Sequence, residues 1–260
     1  MREILSDLVA EQQQLDQFLQ SLTTTEWKRK TARNNWTIKD QVSFLAHQEA
    51  FAAGVIAAGR ARIDAEDLSD LDAWRETGPA EGRPQRHQEV IEWWRHGRAD
   101  VVDALSRMLA TDEIPWLNGD LNARDFATLR LAVTWAHGLD VKGAILGRIT
   151  PLPDDDLEED EEDPLADTTR LRHIAGLGQA SLPGVFKRAG EKYPKNGIRV
   201  EVMGPKYAAW RYGSEDADQV IRGMAGDWCR VVVGRQAADA TGLKAVGSAA
   251  ERALEITRVL

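Results

Sequence analysis

Apolar residues recur along the first 150 positions at steps of three and four. Ile4, Leu5, Leu8, Val9, Leu15, Phe18, Leu19 and Leu22 form one stripe with Gln12, the pattern of an amphipathic first helix. Thr37-Ile38-Lys39-Asp40 has the spacing of a capping box, in which the Thr hydroxyl and the Asp carboxylate satisfy free amides at a helix start. The helix it opens is predicted to run to about Gly59, with Val42, Leu45, Ala52 and Ile56 on its apolar side. Residues 63–86 are polar and carry Gly78-Pro79 and Gly82-Arg83-Pro84, which predicts a loop with at most one short helix. A third helix is expected over His87 to Leu109, with Val90, Trp93, Trp94, Val101, Leu105 and Leu109 inward. A fourth is expected over Ala123 to Leu146, after the breaker cluster Pro115 to Asn122. Four helices of this length make a bundle.

The texture changes beyond position 168. Residues 168–190 read as helix, and Ile198-Arg-Val-Glu-Val-Met203 alternates apolar and charged positions, as a half-buried strand does. Ala208 to Tyr212 and Gln219 to Arg222 are shorter strand candidates, and Ala225 to Arg235 and Ser248 to Val259 are helix candidates. The fold class is therefore α+β. A helical bundle (1–150) is followed by an acidic linker (151–167) and a small C-terminal α+β domain (168–260).

Charge sharpens that division. The chain of 260 residues has 42 acidic and 33 basic side chains, a formal net charge of −9. Asp154 to Asp163 holds nine of the carboxylates, and without them the acidic count falls to 33, equal to the basic count. So dense a run repels itself, which predicts a solvated loop at the domain junction. The remaining body is neutral and lacks the basic footprint of nucleic-acid binding. No apolar run approaches the roughly 20 residues that a bilayer span needs. The start of the chain lacks the pattern of a secretion signal, and the single Cys229 fits a reducing cytoplasm. The expected partner is a small molecule, with neither nucleic acid nor membrane, and a homodimer stays open.

Chemistry has few carriers. Of the five His, only His96 has a carboxylate four residues away on its helix, Glu92, and both sit on a charged face. His137 has Val133 four residues before it and Asp140 three after it, so His137 and Asp140 share a helix face. The Gly176-Leu177-Gly178 triplet falls in a helical context and lacks the third Gly of a nucleotide fingerprint, which reads as close packing or a bend. Cys229, beside Trp228, reads as a buried and inert thiol. Arg235, at a predicted helix end, suits either an anionic ligand or the carbonyls of that helix end.

Several segments in order carry a resemblance. Trp36-Thr-Ile-Lys-Asp-Gln-Val42, Ile114-Pro-Trp-Leu-Asn-Gly119, Phe126 to Leu131 and Thr134-Trp-Ala-His-Gly-Leu-Asp-Val141 lie in the first half. Leu171 to Gly178, Val200-Glu-Val202, Trp210-Arg-Tyr-Gly213 and Ala225-Gly-Asp-Trp-Cys229 through Arg235 lie in the second. Together they resemble the mycothiol-dependent maleylpyruvate isomerase family, and within it an actinobacterial branch of uncharacterised metal-binding proteins. The resemblance implies a DinB-like four-helix bundle followed by a small domain similar to sterol carrier proteins, which can contribute to the active site. It also implies a divalent metal, usually zinc, held by a His on the second helix and by a Glu and a His four apart on the last bundle helix. The position eight after Trp36 is Phe44, and the position four before His137 is Val133, so His137 alone matches. One His cannot hold the ion.

The expected site is consequently a metal-free pocket without a cofactor. Trp36, Phe44, His47 and Val133 would bind substrate, and His137, Asp140 and Arg235 would be catalytic. His137 would act as general acid/base with Asp140 orienting it. The expected function is a metal-independent isomerase, cyclase or lyase acting on a largely apolar molecule in specialised metabolism. Two alternatives stand beside it. One is a thiol-dependent metal enzyme, using zinc or another divalent metal and mycothiol, with ligands rebuilt from His47, His137 and Asp140. The other is a non-catalytic small-molecule binding protein.

Overall fold

The apolar stripe at the start of the chain forms helix α1 (Arg2–Ser21), which buries Ile4, Leu5, Leu8, Leu15 and Leu19. The structure, a computed structural model, describes residues 1–33, 35–153 and 162–260 and divides into two units, Met1–Leu165 and Ala166–Leu260. In the first unit, α2 (Ile38–Ala58) starts at the predicted capping box. Asp40 N donates to Thr37 Oγ1 at 3.2 Å, and Thr37 N to Asp40 Oδ2 at 2.9 Å. Helices α5 (His87–Ser106) and α6 (Ala123–Leu146) complete the bundle. Its core joins Leu15, Leu19, Trp27, Ile38, Val42, Leu45, Val90, Ile91, Trp94 and Val141.

Two expectations about this unit need correction. The third predicted helix stops at Ser106, and Leu109, expected inside, is 71% exposed in the turn that follows. The region 63–86, expected as loop, holds the end of α3 (Arg60–Asp64) and a twelve-residue helix, α4 (Leu71–Gly82). Asp70 caps α4 through the amides of Asp72 and Ala73, both at 3.0 Å. Gly78 and Gly82 read as breakers, yet they stand one turn apart on the face that meets α2. A Cβ on Gly78 would lie 2.6 Å from His47 Cβ, and one on Gly82 would overlap Ser43. Glycine is needed there for close approach rather than for a bend. The breaker cluster before α6 also contains order: β1 (Glu113–Ile114) pairs antiparallel with β2 (Leu121–Asn122).

The second unit packs α7 (Leu171–Arg188), α8 (Ala225–Val232) and α9 (Ser248–Ile256) with a four-stranded sheet of order β4-β3-β5-β6. The strands are β3 (Ile198–Met203), β4 (Ala209–Tyr212), β5 (Gln219–Met224) and β6 (Lys244–Val246). Strands β3 and β5 run parallel, and the other two pairings are antiparallel. Ile198, Val200 and Val202 are buried, as their alternation predicts. Strand β6 went unpredicted because three edge residues carry no periodic signal. Gly178 is a packing glycine, since a Cβ there would overlap Val232 and lie 3.1 Å from the Trp228 ring. Cys229 is buried beneath α7, and desolvation holds its thiol well above the ordinary range.

The expected linker is only partly visible as one. The solvated-loop reading falls on residues 154–163, and of these 154–161 lie outside the described residues. Asp163 contradicts it directly: its carboxylate is buried and accepts from Arg148 Nη1 and Nη2 at 2.9 and 3.0 Å. It also accepts from the amides of Leu152 and Leu165 at 2.7 and 2.9 Å. A guanidinium and two backbone donors offset its desolvation, so the last carboxylate of the run seals the first unit instead of facing solvent.

Candidate functional site

The seam between α2 and α6 brings together the side chains that can do chemistry. His137 on α6 is largely buried, and its Nδ1 lies 2.6 Å from Gln41 Oε1 on α2. Asp140 Oδ2 stands 3.9 Å from the same nitrogen. That distance is beyond hydrogen bonding. Gln41, which the sequence reading did not single out, is the residue within hydrogen-bond distance of that nitrogen.

Aromatic rings cover the imidazole. The ring of Phe44 lies 4.7 Å from that of His137 at an interplanar angle of 35°, and Trp36 lies 5.3 Å beyond Phe44. Trp36 is itself fixed by its indole N–H, which donates to Glu76 Oε2 on α4 at 2.9 Å. Val133, one turn before His137, is half-buried and packs on the bundle core. Trp36, Phe44, Gln41 and His137 therefore form one mixed aromatic and polar group.

One predicted member, His47, faces a different element. His47 lies one turn after Phe44, but the sixty-degree lag between those positions turns it toward α4. Its ring meets Trp74 edge-on at 5.7 Å, and its Nε2 is buried without a hydrogen-bond partner. Burial pushes its imidazole below the ordinary range, against the opposing pull of Glu81 and Glu66. Among the described residues no group of three or more His, Cys, Asp or Glu side chains is placed to hold a metal ion. The alternative set His47, His137 and Asp140 is included in that statement. Arg235 lies in the second unit, where its Nη1 donates to Val233 O at 2.9 Å just past α8. That is the helix-end role, one of the two roles it suits.

The zinc that the resemblance implies does not fit the residues present. A phenyl ring and an isopropyl group offer no lone pair, and Phe44 lies against the one imidazole that remains.

Sequence reasoning missed two groups. Gln41 sits three residues before Phe44 on the same helix face, and that spacing was the available signal. Farther along the same seam, Glu49 and Arg130 form a fully buried pair, with Arg130 Nε and Nη2 each 3.2 Å from Glu49 Oε1. Glu49 Oε2 has no hydrogen-bond partner, and burial raises its carboxyl pKa against the pull of Arg130. No periodicity marks two opposite charges eighty-one positions apart as partners.

Comparison with known proteins adds the following. Residues 8–142 match the model of the mycothiol maleylpyruvate isomerase N-terminal domain. Two uncharacterised proteins from strains of Mycobacterium tuberculosis are each 30% identical over 256 residues, spanning 98% of this chain and 93% of theirs. Crystal structures of a mycothiol-dependent maleylpyruvate isomerase and of its histidine-to-alanine mutant are similar to this chain with a TM-score of 0.58. They are 16% identical in sequence, covering 94% of this chain and 92% of theirs, so that likeness concerns the fold. No described helix is long and apolar enough to cross a membrane.

Proposed function

This chain belongs to the mycothiol maleylpyruvate isomerase family, and from that premise we propose that it is a small-molecule enzyme of isomerase type in which His137 moves a proton without a bound metal ion. The observation that carries the reading is the setting of His137, hydrogen-bonded through Nδ1 to Gln41 and covered by Phe44. A histidine so held is a general acid/base suited to neutral pH. Taking up a proton and returning it within one cycle leaves the formula unchanged, which is the balance an isomerisation requires.

The residues around His137 give each part a task. Trp36, Phe44 and Val133 supply apolar wall, which favours a largely apolar substrate and excludes water. Asp140, at 3.9 Å, stabilises the imidazolium while the ring holds the proton. The enzyme is read as cytoplasmic and as part of specialised metabolism. It needs no resident cofactor. Mycothiol enters as the family's thiol, and in this reading His137 takes the thiol proton as the sulfur adds to the substrate double bond and returns it as the carbon–sulfur bond breaks again, which regenerates the thiol.

The test uses maleylpyruvate with mycothiol as the probe reaction, alongside zinc analysis of the purified protein. Turnover is expected to persist in a chelator and to fall by roughly 10²- to 10⁴-fold in a folded His137→Ala variant. About one equivalent of zinc, with turnover that stops in chelator, would restore the metal-dependent reading. Turnover unchanged in His137→Ala would remove His137 from the chemistry. Binding of the probe with no conversion by any form would favour a carrier.

A further inference from the structure

Backbone carbonyls accept hydrogen bonds and never donate them. That fact fixes the direction of a chain of contacts ending on His137. Thr31 Oγ1 lies 3.0 Å from Trp36 O and 3.2 Å from Arg33 O. Its one hydroxyl proton goes to a carbonyl, and what it can offer Gln41 Nε2, 2.8 Å away, is a lone pair. Gln41 accordingly turns its NH2 toward Thr31 and its carbonyl toward His137 Nδ1 at 2.6 Å. A carbonyl that close to a ring nitrogen requires a proton on that nitrogen.

We propose that Gln41, held by Thr31, is a positioning residue that fixes His137 as its Nδ1–H tautomer, so that Nε2 is the nitrogen that takes and returns the proton. This rests on the reading of His137 as the acid/base. Burial makes the lock effective. Gln41 is fully buried and Thr31 nearly so, so water does not replace either partner; with the Thr31 proton on a carbonyl, a flipped amide would set two acceptors against each other at Thr31 and two donors at the Nδ1–H of His137. Asp140, at 3.9 Å, does not compete for the Nδ1 proton. The loop that carries Thr31 is closed on itself, with Thr31 N donating to Trp36 O at 2.7 Å and Lys30 bridging to Thr37. The anchor is thus tied to the capping box at the start of the helix that bears Gln41.

The experiment is two-bond ¹H–¹⁵N spectroscopy of the full-length ¹⁵N-labelled protein, with His137 neutral. The expected spectrum for His137 has a pyrrole-like Nδ1 and a pyridine-like Nε2. Gln41→Leu removes the acceptor and should move His137 to a mixed or Nε2–H pattern. Gln41→Glu retains an acceptor and should restore the wild-type pattern. Thr31→Val frees the amide and should give a mixture. An Nε2–H tautomer in the wild type, or an unchanged pattern in a folded Gln41→Leu variant, would overturn the proposal. Should Gln41→Leu fail to fold, the wild-type and Thr31→Val spectra decide alone. With the probe reaction, Gln41→Leu should lower kcat by roughly 10- to 100-fold with rescue by Gln41→Glu. The spectra need no substrate. The expected tautomers combined with full turnover in His137→Ala would refute the functional reading and leave the lock standing.

Discussion

The ring of Phe44 lies 4.7 Å from that of His137, so an aromatic side chain covers the imidazole from the helix position that the family resemblance assigns to a metal ligand. Val133, at the other assigned position, packs on the bundle core. The two replacements act together. Neither side chain offers a lone pair to a metal ion, and both are apolar.

If the backbone of the old site persists beneath these side chains, restoring its ligands should restore metal binding. Phe44→His combined with Val133→Glu is expected to bind about one equivalent of zinc by calorimetric titration, where the wild-type chain binds none stoichiometrically. Equal zinc uptake by both proteins would show that Phe44 and Val133 do not stand where ligands would.

The buried pair of Glu49 and Arg130 should behave as a unit. Arg130→Met leaves Glu49 buried without its counter-charge and should lower the unfolding free energy by about 3–5 kcal/mol. Adding Glu49→Leu to that variant should recover much of the loss, because the uncompensated charge is gone. Urea titrations of the two single variants and the double variant measure this, and strictly additive losses would count against coupling.

Asp163 predicts an acid limb of stability. Burial alone would raise its carboxyl pKa, but the hydrogen bonds from Arg148, Leu165 and Leu152 hold it below the ordinary value. A carboxylate whose folded pKa is depressed contributes stability that is present above the unfolded value of about 3.9 and lost as pH falls through the folded value. Asp16 on α1 shows the same direction, with burial opposed by Arg95, Gln20 and Arg98. Melting curves from pH 7 down to about pH 2 should fall steeply below about pH 4. Asp163→Asn should have a lower Tm at pH 7 and a shallower acid limb, and an unaltered limb would exclude Asp163 as a contributor.

Helix α4 and Asp163 show where sequence reading stops. Gly78, Pro79 and Gly82 were legible as helix breakers because propensity is local, but the value of a small residue where α4 meets α2 depends on the partner surface. Nine carboxylates in ten positions were legible as repulsive, but whether one of them is neutralised depends on Arg148, fifteen positions away. His47 and Phe44 look interchangeable by helical spacing, yet a sixty-degree difference sends one to Trp74 and the other to His137.

The sequence by itself determined the bundle helices, the alternating strand β3 and the division into a helical and a mixed half. Those features follow from periodicity, capping spacing and residue type, all of which are local. Only the tertiary structure decided that Gln41 rather than Asp140 meets the Nδ1 of His137, that Thr31 anchors that amide, and that Glu49 finds Arg130. A hydrogen bond reaches about 3 Å, and which side chains come within that reach is fixed by how α2 packs on α6.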